Sequence, residues 1–444
     1  MDRSRQALAR TLAPAVVATT VFLLIVALYL LSEPRIPASL LTVWGAHPFR
    51  FPFLDADTVM SALRCRRLGI DVFDVNPCDA LGRVYDYSPL WLYASVFPFT
   101  EAWIVPVGLA IAVLFLASLL LLPPGRDGTR TGLIIAGVLS TPVVFAVERA
   151  NNDVIIFVLA CLAATLTLRS PAWRWLGYGC ALLAGLLKYY PMMLLVIAVR
   201  ERPRMFFAVA ATATLLLALF IATSFEPLRR ALSLIPTGSF FGDMFGARTL
   251  AFGLAELTGA APAMARVGEW GLDLAAIGVG AWLSLRGWVD DDLAALTERE
   301  RSFLFAGALL VLGCFLTAQN IGYRALHLVL VLPALTALAG RRRIWTAGVG
   351  IVLVLLWAEG WRHWLDAAVE GRPPWADLPL AVDGPRVLGW LLREACWWSV
   401  VTLLWACVIT FLRQSTMMRA LLPLRRRPTG LSPAPHPPRP RRAR

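Results

Sequence analysis

The sequence predicts an all-α polytopic membrane protein, a helical bundle of about twelve segments, and three observations predict it. The 444-residue chain is 58% hydrophobic and 16% charged, with a mean hydropathy of +0.66, whereas soluble domains are roughly 25% charged. Apolar stretches approaching the ~20 residues of a membrane helix recur along the whole chain. Arginines gather between those stretches, and Lys188 is the only lysine.

The first segment, Thr11 to Leu31, follows Arg3, Arg5 and Arg10 and reads as an uncleaved anchor, because the run is long and no small-residue cleavage site follows it. Further segments are expected at 102–122, 132–147, 154–168, 175–187, 191–199, 205–225, 270–285, 303–317, 326–338, 344–358 and 387–412. Short arginine-bearing connections, "PPGRDGTR", "RSPAWR", "RERPR" and "GRRR", are cytoplasmic by the positive-inside rule. An even number of crossings then places both termini in the cytoplasm, across what is expected to be a bacterial plasma membrane. Residues 1–412 form the membrane domain. The Arg/Pro-rich stretch 413–444 cannot bury a core and is expected to be a disordered cytoplasmic tail. Contact with anionic lipid, at ~1 kcal/mol per arginine, accounts for that tail's share of the net charge of +13 without nucleic acid.

This topology fixes what lies outside. A long loop, 32–88, comes first; "ERANND" (148–153), "KYYP" (188–191) and "AQNIGYR" (318–324) are short; larger segments cover 226–248 and 359–386. The segments flanking Lys188 are too short to cross alone, so they read as two half-length helices meeting at a turn. Irregular backbone at membrane depth must be buried in protein or line a wet cavity, and the Lys188 turn is therefore expected to face a cavity on the outer side. Five cysteines fall in predicted segments as small apolar packing residues. Cys65 and Cys78 fall in the outer loop, where a disulfide is feasible. No Cys or His cluster suggests a metal site.

Within that loop, "DADTVMSALRCRRLG" reads as a helix beginning near Asp55 and Asp57. Capping of the helix N-terminus is the local reading of both aspartates. Glu148, Arg149, Asp153, Lys188 and Arg324 also lie at the outer ends of segments, where ionisable groups are costly enough to mark function. Plainer roles exist for each: Lys188 snorkelling to the interface, Arg149 pairing with Glu148 or Asp153, Arg324 anchoring beside Tyr323. One carboxylate facing several cations suits sugar transfer from a lipid-linked phosphate. A base takes the acceptor's proton, cations hold the departing phosphate, and no second carboxylate acting as acid is needed.

The run "FLDAD…LGIDVFD…VYDYSPLW", with Asp55 fourteen residues before Gly69, resembles the first outer loop of glycosyltransferase family 87, integral membrane enzymes of GT-C fold that use polyprenyl-phosphate sugars. "ERANND", "GLLKYYP" and "NIGYRALHLVLVLP" are similar, in order and spacing, to later elements of that family, so the resemblance extends from about residue 50 to 335. It implies Asp55 as catalytic base with Asp57 as fallback. It also implies Lys188, Arg324 and Arg149 at the donor phosphate, and Asn152, Asp153, Glu148, Tyr87 and Tyr190 near the substrates. Ala150 stands where the family usually has glycine, and the "NPCD" stretch departs from the common pattern. The implied activity is inverting transfer of a sugar, most simply mannose, to a glycan, glycolipid or protein acceptor on the outer face. No cofactor is called for, although Asp55 and Asp57 form an Asp-x-Asp pair of the kind that binds a divalent metal. Trp91 is the best candidate for sugar stacking. A polysaccharide polymerase or ligase and a non-catalytic lipid or solute transporter are the rival readings; the chain lacks the internal repeat common in transporters.

Overall fold

The computed structural model describes residues 3–421, apart from 34, 50, 236, 318 and 376–381. A helix stands at each of the twelve expected positions. Five are long and apolar enough to cross a membrane: Arg5–Leu31, Glu101–Leu121, Pro203–Ser233, Glu298–Thr317 and Gly384–Gln414. Counting each of three bent pairs as one span gives eight. Length and composition thus support five to eight spans, and the shorter apolar helices Asn152–Leu166, Tyr190–Arg200 and Gly322–Leu338 pack among them.

The centre of the bundle is the Glu298–Thr317 helix with Leu328–Leu338, both buried on nearly every side. A helix apolar all round is what such a position demands. By contrast, Arg3–Leu31 and Pro203–Ser233 expose Leu23, Leu24, Phe207, Leu215 and Leu219, as helices bordering lipid do.

Loops at one end of the bundle are tied together by arginines. Arg126 pairs with Glu300 at 2.7 Å, Arg174 with Glu201 at 3.1 Å, and Arg341 and Arg342 both pair with Asp292 at 2.8 Å. These are the connections assigned to the cytoplasm from sequence. The opposite end carries the 32–88 segment, which forms helices Arg35–Val43 and Leu54–Arg67 before an irregular stretch leading into a 3₁₀ helix at Pro89–Val96. Cys65 and Cys78 are joined by a disulfide across that stretch, and Ala62, Leu63, Val72, Phe73 and Tyr85 form a second small core beneath it. A two-residue ladder, Met244–Phe245 against Asn320–Ile321, fastens the 237–246 loop beside the Lys188 end.

Helices not anticipated from sequence include Ala247–Thr258, Gly287–Ala294 and Ala358–Glu370, the last within the segment expected to lie outside. The boundary at 413 also moves. The last long helix continues to Gln414 and a short helix, Thr416–Leu421, follows; the remainder of the expected tail lies outside the described residues.

Candidate active site

Asp55 occupies the first turn of the Leu54–Arg67 helix, yet its carboxylate does not cap that helix, whose N-cap residue Phe53 makes no side-chain cap bond either. Instead it accepts a bidentate pair from Arg149, Nε to Oδ2 at 2.8 Å and Nη2 to Oδ1 at 2.7 Å. Asn151 Nδ2 donates to Oδ2 at 2.5 Å. Arg83 Nη1 stands 3.8 Å from Oδ1. Asp55 is 3% exposed, and a buried carboxylate is tolerable only with such partners.

The backbone makes this meeting possible. Phe53 donates its N–H to the Glu148 carbonyl at 2.8 Å, and Asp55 donates to the Arg149 carbonyl at 3.0 Å. Phe53 and Ala150 are the only non-glycine residues with positive φ among those described, at 63° and 46°, and they flank the contact on its two sides. Left-handed backbone at a residue with a side chain costs of order 1–3 kcal/mol and persists where surrounding structure imposes it. Ala150 therefore sits at a position where glycine would be unstrained. Asn151 then N-caps the Asn152–Leu166 helix, its Oδ1 accepting from the Asp153 N–H at 2.8 Å. One side chain thus both starts that helix and grips Asp55.

A second charged knot lies behind the first. Asp153, fully buried, accepts from Lys188 Nζ at 2.6 Å and from the Tyr190 hydroxyl at 2.6 Å, with Arg324 Nε 3.4 Å away. His327 Nε2 lies 2.6 Å from the Tyr190 hydroxyl. Lys188 ends the Pro171–Leu187 helix, and the chain continues through a 3₁₀ helix, Tyr190–Arg200; the expected turn is present, but the helix before it has 17 residues and is not half-length. Its ammonium sits 5.8 Å from the Tyr87 ring and 5.9 Å from the Tyr323 ring. That is partial cation–π support for a charge withdrawn from water.

Both knots open onto one cavity of about 550 Å³. Asp55, Arg83, Asp86, Arg149, Lys188 and Arg324 line it, with Tyr87, Tyr190 and Tyr323 among the ring surfaces. The structure therefore brings together Asp55, Arg149, Lys188, Arg324, Tyr87 and Tyr190 as the sequence proposed. No family model matches this chain, and no curated protein or solved structure matches it either.

Other proposed residues lie elsewhere. Asp57 points away from the cavity and accepts the Ala80 N–H at 3.4 Å; burial raises its carboxyl above the ordinary value. Asp153 and Asn152 stand behind the cavity wall and do not line it. Glu148 faces a separate apolar groove beside Phe22, Tyr29 and Val147, and neither of its carboxyl oxygens has a hydrogen-bond partner. Successive helical residues are rotated by about 100°, so Glu148 and Arg149 cannot both face Asp55. Arg149 pairs with Asp55, and neither Glu148 nor Asp153 is its partner. Among the described residues no group of three or more His, Cys, Asp or Glu side chains forms a metal site. Arg83, Asn151, Asp86 and His327 were missed by the sequence. Only Asn151 carried a local signal, an N-cap residue directly before an apolar helix.

Proposed function

We propose that the cavity binds a polyprenyl-phosphate sugar and that the protein transfers the sugar, with inversion, to a hydroxyl acceptor at the face of the membrane opposite the arginine-rich loops. The observation that carries this reading is the composition of the cavity wall, where four cations, Arg83, Arg149, Lys188 and Arg324, face two carboxylates, Asp55 and Asp86. A wall with surplus positive charge attracts an anion, and aromatic surfaces of Tyr87, Tyr190 and Tyr323 suit a sugar beside it. As the bond from C1 to the phosphate oxygen breaks, the phosphate gains a negative charge. Cations already fixed in place stabilise that charge without reorganising. The knot behind Lys188 and Arg324 supplies the fixing, because Asp153 pairs with both cations and is itself held by the Tyr190 hydroxyl.

Mannose on a polyprenyl phosphate is the simplest donor, and a glycan, glycolipid or protein hydroxyl the acceptor. A transporter built around the same cavity would bind the lipid-linked sugar and release it intact. The deciding experiment gives purified protein in lipid nanodiscs a set of polyprenyl-phosphate sugars (mannose, glucose, arabinose) with alkyl glycoside acceptors, and measures free polyprenyl phosphate. Release above the protein-free rate is expected; intact donor throughout would support transport and sink the transfer reading.

A further inference from the structure

We infer that Asp86, and not Asp55, is the base that takes the acceptor hydroxyl's proton, Asp55 being a fixed anion that positions Arg149. The inference rests on the transfer reading above and assigns a role within it.

Lone pairs distinguish the two carboxylates. Ionised, a carboxylate offers about four acceptor sites. Asp55 gives three to Arg149 and Asn151, with Arg83 close to the fourth. To accept a proton it would have to surrender a bidentate arginine, leaving a buried guanidinium unpaired, which is strongly unfavourable. Its geometry suits an anchor for Arg149.

Asp86 is in the opposite condition. It belongs to the irregular stretch before the Pro89–Val96 3₁₀ helix. Val84, Asp86 and Tyr87 line the cavity, while Tyr85 is fully buried in the small core under the loop and anchors this stretch. The Tyr85 hydroxyl donates to the Ser88 carbonyl at 2.9 Å, and the Ser88 hydroxyl to the Leu186 carbonyl at 2.6 Å. Asp86 is thereby held against the Lys188 turn. Yet among the described residues its carboxylate has no side-chain hydrogen-bond partner; its own backbone N–H is the one donor at hand. Burial raises its carboxyl above the ordinary carboxylate value, Asp55 adding to the rise and Lys188 and Arg83 opposing it. A free acceptor with raised proton affinity, beside the phosphate-binding cations, is the arrangement general-base catalysis asks for.

The step balances. The acceptor oxygen forms a bond to the sugar C1 as its proton passes to an Asp86 carboxylate oxygen. The electron pair of the C1–O bond leaves with the phosphate, which departs as polyprenyl phosphate carrying one more negative charge. Azide needs no deprotonation to attack C1, so it bypasses a missing base but repairs no misplaced cation.

The test compares wild type, Asp86→Asn and Asp55→Asn in nanodiscs, with polyprenyl phosphate release measured on the same donor set, with and without sodium azide. Thermal unfolding of each variant checks that it folds. The expected result is a hundredfold or greater loss in Asp86→Asn with the donor KM within threefold, and recovery of at least tenfold with azide as a glycosyl azide forms. Asp55→Asn is expected to lose activity without azide recovery. Normal release by Asp86→Asn, a loss azide does not repair, or azide rescue of Asp55→Asn in its place, each overturns the inference while leaving the transfer reading intact. Absence of release by the wild type removes both.

Discussion

The two ends of the bundle use the same residue types for opposite purposes. At the arginine-rich end, Asp292 is buried and accepts from Arg341, Arg342 and Trp345, but its arginines remain 44% and 45% exposed. At the cavity end, Asp153 is likewise buried, while its partners Lys188 and Arg324 are only 11% and 16% exposed. Cations of the first kind keep most of their hydration and tie loops together; a surface pair of that sort contributes about 0–1 kcal/mol. Cations of the second kind have left water, depend on their carboxylate, and line the cavity. Charge withdrawn from water therefore separates the site from the scaffold more clearly than the number of ion pairs does.

The comparison breaks most readily at its two aspartates. Asp153→Ala leaves a buried ammonium, a buried guanidinium and the Tyr190 hydroxyl without their partner, and should cost about 3–5 kcal/mol. Asp292→Ala should cost about 1–2 kcal/mol, since its arginines can turn to water and the main loss is a few hydrogen bonds. Thermal unfolding in detergent measures both, and equal losses would show that the ends do not differ as argued.

A somewhat smaller effect is expected from the loop that carries Asp55 and Asp86. Replacing both Cys65 and Cys78 by serine opens a bridge spanning 13 residues, worth about 3 kcal/mol in the chain-entropy account. Reductant should lower the unfolding temperature of the wild type and leave the double variant unchanged. Reductant sensitivity in both would place the effect elsewhere.

Smallest is the change at Asp57, whose carboxyl is raised by burial and by Asp79 against the pull of Arg83 and Arg64. A carboxyl with a raised folded pKa favours the folded state below its unfolded value of about 3.9, and that contribution is lost as pH rises through the folded value. Asp57→Asn removes the loss, so the variant should match the wild type near pH 4 and equal or exceed its stability at pH 7. Unfolding temperature against pH reads this directly; a less stable variant at pH 7 would mean the charged form is held by its arginines.

Much of this was legible in the sequence, and the reasons for the rest are physical. Apolar runs placed a helix at all twelve positions because burial among helices or in lipid selects the same composition. For that reason composition alone did not separate spans from short packed helices. The Lys188 turn was readable because two short apolar runs met at a charge. Asp86 was not, since its standing depends on which neighbours it lacks, and the partners that occupy the Asp55 oxygens are brought to it only by the fold. Glu148 and Arg149 are adjacent in sequence and diverge in space by helix geometry alone.

The central claim is that the cavity end holds a lipid-linked phosphate, and binding of polyprenyl monophosphate to the protein in nanodiscs, measured for wild type and Lys188→Ala, tests it most directly. The account predicts saturable binding that Lys188→Ala weakens tenfold or more, about 1.4 kcal/mol. Equal affinity in the two proteins, or no saturable binding by the wild type, would contradict it.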